Sequence, residues 1–234
     1  MKSIRTLALV TGLLALSGVS QAQFSSTWTA VSDYDFRGYS QSAKGPAIQA
    51  SADYTAGDTG FSAGVWASNV DFGPGNDETM ETDLYFNYNV KINDIMTFMI
   101  GATYYTYPLG SSTDNYPEGY IGATLGNFSI KQWYSDDMYA GSESAAYTEA
   151  NYTQPIGDKF SLAFHLGYAW GNYWEKVNGE KLTDYAVQAN YTAGKFTIFA
   201  KFTGTDADTS KITTDANNNE PRGLIGVTTT FPWK

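Results

Sequence analysis

The chain has 234 residues, with 24 acidic side chains against 14 basic ones and a formal net charge of −10. That balance argues against binding nucleic acid or an anionic lipid surface by bulk charge. No cysteine is present, which excludes disulfides and thiolate metal sites.

Residues 1–22 read as a secretory leader: Lys2 and Arg5 precede the short apolar run Leu7–Leu16, and Ser20-Gln21-Ala22 puts small residues at a cleavage site. Cleavage is expected after Ala22. Residues 23–234 then form one domain, with 12 basic and 24 acidic side chains. Aromatic residues are abundant, at 18 Tyr, 13 Phe and 6 Trp, while no apolar run after the leader is long enough to span a bilayer as a helix.

Period-2 alternation replaces helical periodicity from there on. The first predicted strand is Thr27–Phe36, with Trp28, Ala30, Tyr34 and Phe36 on one face and Thr29, Asp33 and Asp35 on the other. Strands follow at Pro46–Thr55, Phe61–Val70, Thr79–Val90, Met96–Thr106 and Pro117–Leu125. The Gly126-Asn127 pair reads as a hairpin turn into Phe128–Ser135. Ala145–Thr153, Phe160–Trp170, Thr183–Tyr191, Phe196–Thr203 and Arg222–Phe231 complete twelve strands. Loops after the odd-numbered strands are longer than those after the even-numbered ones. A soluble sandwich has no reason to keep one end trimmed, whereas a membrane barrel has short periplasmic turns and long external loops. The expected fold is therefore all-β: a transmembrane, antiparallel, up-and-down barrel of about twelve strands. An even strand number returns both termini to the periplasm.

With the apolar face toward lipid, the polar face lines a lumen. It carries Asp33, Asp35, Asp53, Glu81, Asp83, Glu118, Glu149 and Asp184, the bases Arg37, Lys131, Lys201 and Arg222, and the single histidine, His165. This acid excess favours cations or neutral polar solutes over anions. The competing reading is a plugged interior with the same groups held in structural salt bridges. Arg37, where strand one meets the first external loop, is expected to pair with the acids beside it and to narrow or gate that mouth. Tyr34 and Phe36 are expected to meet lipid near the outer interface.

Other chemistry is less well supported. Asp33 and Asp35 lie roughly 7 Å apart by strand rise, a separation compatible with acid/base hydrolysis, but they read more simply as lumen acids. His165 lacks a recognisable serine motif, Ser129 and Ser161 being common polar-face residues, so a barrel hydrolase is the least favoured reading. The loops Asp71–Glu78 and Asp206–Glu220 contain acids but do not fit a calcium-loop pattern. No cofactor or metal is expected.

Several stretches carry a family resemblance: D-Y-D-F-R-G-Y-S-Q-S at Asp33–Ser42, G-P-A-I-Q-A-S-A-D-Y at Gly45–Tyr54, and G-F-S-A-G-V-W-A-S-N-V-D-F-G at Gly60–Gly73. Shorter matches are E-T-D-L-Y at Glu81–Tyr85, Y-Y-T-Y-P at Tyr104–Pro108 and P-I-G-D-K-F-S-L at Pro155–Leu162. Together they resemble the TorF-type porins, also catalogued as the Gcw_chp proteins. The resemblance implies a bacterial outer-membrane barrel and a porin role, and supplies no site residues. The end of the chain, Gly226–Phe231, is similar to the C-terminal signal by which such barrels reach their assembly machinery, although Thr229 replaces the usual apolar residue and Pro232-Trp233-Lys234 follow. Expected partners are outer-membrane lipid, periplasmic chaperones, the barrel-assembly machinery and small polar solutes. A closed barrel serving envelope structure or surface contact is the alternative function.

Overall fold

The computed structural model describes residues 22–110, 114–178, 181–207 and 220–233. Apart from Ala22, the leader lies outside the described residues, as does most of the Asp206–Glu220 loop. The strands are β1 (Ala22–Val31), β2 (Asp35–Phe36), β3 (Tyr39–Ser40), β4 (Ala47–Ala56), β5 (Phe61–Asn69), β6 (Met80–Lys91) and β7 (Met96–Thr106). They continue as β8 (Tyr116–Leu125), β9 (Phe128–Ser135), β10 (Ala145–Ile156), β11 (Phe160–Trp170), β12 (Leu182–Ala193), β13 (Phe196–Thr205) and β14 (Arg222–Phe231).

Twelve of them close into one antiparallel barrel in the order β1-β14-β13-β12-β11-β10-β9-β8-β7-β6-β5-β4, while β2 and β3 pair only with each other. The closing seam joins β1 to β14 from Ser26 opposite Phe231 to Val31 opposite Gly226. Closure leaves no strand edge, which a membrane interior requires because it offers no water to unpaired backbone groups. Connections at one end are tight, as at Gly126-Asn127, and those at the other run to 32–46 and 206–221.

Burial is inverted relative to a water-soluble protein. Ile121 and Ile225 are 63% and 66% exposed, whereas Glu81 and Glu118 are 3% and 1% exposed. The apolar face is therefore the outside, the arrangement of a barrel that crosses a membrane. Aromatic side chains border this belt near the short turns, at Phe24, Phe61, Phe160, Phe196 and Phe231, and near the long loops, at Tyr104, Tyr134, Tyr168, Trp170 and Tyr185. Such girdles mark the two membrane interfaces.

The start of the chain departs from the expectation. The wall strand runs from Ala22 to Val31, not through Phe36. After Val31 the chain leaves the wall, turns inward and forms the β2–β3 hairpin inside the barrel. Tyr34 and Phe36 consequently do not meet lipid: Tyr34 is buried against Trp66, and the Phe36 ring packs edge-on to Tyr105. Asp33, a short polar residue, is one reason the chain turns here. Its carboxylate accepts hydrogen bonds from Ser40 Oγ at 2.5 Å and Ser42 Oγ at 3.2 Å, closing a compact polar loop. Gln41 N–H donates to the Tyr34 carbonyl at 2.7 Å, and Asp35 and Phe36 pair with Ser40 and Tyr39.

Candidate functional site in the barrel lumen

The hairpin turns at Arg37-Gly38, both with positive φ (51° and 85°), the two-residue geometry that follows the right-handed twist of a hairpin. Glycine at position 38 is required twice over. A Cβ there would lie 2.9 Å from Thr205 Cβ and 3.1 Å from Asp184 Cβ, so the turn sits directly against the β12–β13 wall. Gly38→Ala is expected to lift the turn off the wall at a local cost of about 1–3 kcal/mol. Faster amide exchange confined to Asp33–Ser42 would register it, and unchanged exchange there would contradict the packing argument.

Ion pairs hold the hairpin at both sides of the lumen. On one side Arg222 Nε donates to Asp33, its Nη2 to Asp35 at 2.7 Å and its Nη1 to the Gly38 carbonyl at 2.8 Å. Lys201 Nζ adds a 2.6 Å contact to Asp35, and Thr203 Oγ1 donates to the same oxygen at 3.1 Å. On the other side Arg37 makes a bidentate pair with Glu118 at 3.1 and 2.7 Å. Strand β8, which carries Glu118, is six places from β14 around the twelve-strand ring, hence opposite it. The hairpin thus spans the lumen. The Arg37 guanidinium also stacks over the Tyr147 and Phe36 rings, at 4.1 and 4.7 Å. Burial alone would lower the Arg37 pKa, but the Glu118 carboxylate more than reverses this and the net shift is upward.

Arg37 therefore does not pair with the neighbouring Asp33 and Asp35, as the sequence suggested. The tight turn points it away from them and gives both aspartates to Arg222 and Lys201. Tyr34 supplies a further contact, its hydroxyl lying 3.4 Å from Glu81. Burial, with Glu81 and Asp83 next in importance, pushes the Tyr34 phenol well above its ordinary pKa and keeps it a donor.

The lumen is filled at one end only. Toward the long loops, its inward side chains are buried, including Tyr105, Tyr116, Met138, Tyr147, Trp174 and Leu182, which pack as one cluster. Toward the short turns, the inward positions Tyr85, Asn87, Thr124, Asn151, Ser161, Gln188 and Asn190 are all half-exposed. The interior is a cup, open at the short-turn end and closed at the other by the hairpin and its aromatic surroundings.

The remaining predicted residues line this cup. Asp53 accepts hydrogen bonds from Tyr85 and from Ser51, the latter at 2.6 Å. Lys131 turns its ammonium over the Tyr120 and Trp133 rings, at 4.6 and 5.1 Å. Glu149 accepts from Trp133 Nε1 at 2.8 Å and from Asn151 Nδ2 at 3.2 Å. His165 Nε2 lies 2.8 Å from Asp184 and 3.0 Å from the Tyr147 hydroxyl, and its Nδ1 lies 2.7 Å from Asn151 Oδ1. Among the described residues no serine hydroxyl bonds to His165. Ser161 instead accepts from Asn190 at 3.2 Å, so a serine nucleophile paired with this histidine is not assembled.

The inward aromatic residues Tyr105, Tyr120, Trp133 and Tyr147 were not singled out from the sequence as site residues. The signal for them was strand parity. Tyr120 stands two residues after Glu118, Trp133 two after Lys131, and Tyr147 two before Glu149, which puts each on the same face as a charged neighbour.

The profile of a family described as "Bacterial protein of unknown function (Gcw_chp)" matches residues 15–231, nearly the whole chain. The chain belongs to the Gcw_chp family. No curated protein matches its sequence. The Gcw_chp barrel is similar in fold to the solved KdgM porin, with a TM-score of 0.56 and 12% identity over 88% of this chain and 99% of that one. It is likewise similar to the NanC porin, with a TM-score of 0.57 and 13% identity over 89% and 98% of the two chains. At such identities the likeness extends to the barrel alone.

Proposed function

We propose that this Gcw_chp protein is an outer-membrane porin through which small polar solutes diffuse passively, with a mild preference for cations, and that the Asp33–Ser42 hairpin gates it. The observation that carries this reading is the nature of the obstruction. Part of the obstruction is a loop segment that belongs to no wall strand and is held by ion pairs and ring contacts, so that part can move without unfolding the barrel. The export signal, the periplasmic chaperone route and the outer-membrane location belong to the same proposal.

The charge preference follows from which acids are matched. Arg37, Arg222 and Lys201 are bound to Glu118, Asp33 and Asp35. Among the described residues, no lysine or arginine lies within ion-pair distance of Asp53, Glu149 or Asp184. A narrow lumen screens such charges weakly. A related structure in this fold class is a KdgM porin in complex with oligogalacturonate; a chain of uronic acids would be repelled by the acid excess here. In planar bilayers under a salt gradient, the sign of the reversal potential is expected to report cation preference, and an anion-preferring channel would sink the charge argument.

The filled loop-side half of the lumen favours a second reading, a closed barrel serving envelope structure or contact. Folded, purified protein that yields no channel events, with the hairpin intact or removed, would decide for it.

A further inference from the structure

Beneath the hairpin lies a cavity of about 180 Å³, on the open side of the plug. Its lining brings together Trp133 and Tyr147 rings, the Glu149 and Asp184 carboxylates, and His165, with Arg37 and Lys201 at the hairpin side. Charge is not balanced across it. Arg37 is engaged by Glu118, and Lys201 by Asp35. Glu149 and Asp184 receive only neutral donors, Trp133, Asn151 and Tyr147, apart from the imidazole between them. Lys131 is the cross-strand neighbour of Glu149, yet its ammonium turns to the Tyr120 and Trp133 rings rather than to that carboxylate.

We infer that this cavity is a binding site for a compact primary ammonium ion, taken up from the short-turn side. The inference rests on the cation preference proposed above and names its ligand class. Two of the protein's own side chains show what the site accepts. Lys131 places an ammonium, and Arg37 a guanidinium, against aromatic faces of the same lumen, as expected from the attraction between a cation and a ring quadrupole. Glu149 and Asp184 have lone pairs left for N–H donors, since each ionised carboxylate offers about four acceptor positions. A neutral solute would leave the negative wall uncompensated, and an anion would be repelled by it. Glu149 is 17% exposed and His165 24%, so the wall is reachable from the open half of the cup. The volume suits an ion of a few heavy atoms, being about six times the share of one water in the liquid.

The test is calorimetric titration of the detergent-folded full chain with n-butylammonium chloride, compared with n-butanol, sodium butyrate and tetramethylammonium chloride at constant ionic strength. Saturable binding of butylammonium alone is expected. Glu149→Gln should weaken it about tenfold or more, the order of a lost charge-assisted hydrogen bond in a desolvated site. Trp133→Phe, which keeps a ring but loses the Nε1 donor to Glu149, should weaken it less. Both variants must keep the thermal midpoint of the parent, and an Asp94→Asn variant, on an exposed short turn away from the cavity, should bind as the parent does. Equal binding of butanol or butyrate, binding of tetramethylammonium as tight as that of butylammonium, or no loss in either cavity variant would overturn the site. Equilibrium binding needs no conduction, so a barrel that binds butylammonium but never conducts would refute the porin reading and leave the site standing.

Discussion

Replacing residues 35–40 by a short glycine-serine link is expected to raise single-channel conductance several-fold and to leave the barrel folded. The hairpin contributes no residue to the twelve-strand ring, so its removal breaks no strand-to-strand hydrogen bond of the wall. It does remove Phe36 from contact with Tyr105 and the Arg37 guanidinium from between Phe36 and Tyr147. Arg37→Ala is the milder version. It frees the far end of the hairpin and leaves Glu118, whose side chain is fully buried, without its cation. Conductance or cation preference should rise in that variant too, by less than in the excision. An excision variant that folds and conducts no better than the parent would return the hairpin to the status of packing and the interior to that of a closed core.

The second large effect is expected at Arg222. This one guanidinium joins Asp33, Asp35 and the Gly38 carbonyl, and both carboxylates are nearly buried. Arg222→Met removes the cation and leaves Asp33 buried without a counter-ion, a change that costs about 3–5 kcal/mol in comparable buried pairs. The hairpin, not the wall, should absorb that cost by leaving its seat. Limited trypsin digestion reads it directly: the bond after Arg37 is shielded while the guanidinium is stacked in the lumen, and it should become cleavable in Arg222→Met. Adding Asp33→Asn to that variant removes the stranded charge and should restore part of the protection. A resistant single variant, or no rescue in the double, would show that apolar packing holds the hairpin and the ion pairs are incidental.

Most of the wall was legible because period-2 alternation, strand length and the long–short rhythm of loops all point to the same architecture. Strand parity also puts Asp53, Glu81, Asp83, Glu118, Glu149 and Asp184 on the face opposite the exposed apolar side chains. The inward turn after Val31 was hidden because Asp33-Tyr34-Asp35-Phe36 continues the alternation past the point where the chain leaves the sheet. Arg37-Gly38 between Phe36 and Tyr39 is the hairpin signal. An arginine at a positive-φ position, where asparagine or aspartate would advertise a turn, obscures it. The pairing of charges was not legible at all. Arg37 meets Glu118, and Asp33 meets Arg222, only because barrel closure brings opposite walls and distant segments together.

That last pairing has a consequence for biogenesis. Asp33 and Arg222 are separated by 189 positions in sequence, and Arg222 opens the final strand, which forms the closing seam with β1. The hairpin therefore cannot acquire its Arg222 anchor until the whole polypeptide has been delivered and the last strand has docked. Until then Glu118 and Lys201 alone pair with its charges, and Arg37 is less well shielded from proteases that cut after basic residues. An incompletely assembled sheet would carry a severable tag near its own beginning, and a finished barrel would have hidden it. The same few residues that obstruct the mature lumen can thus mark, during assembly, which molecules have been completed.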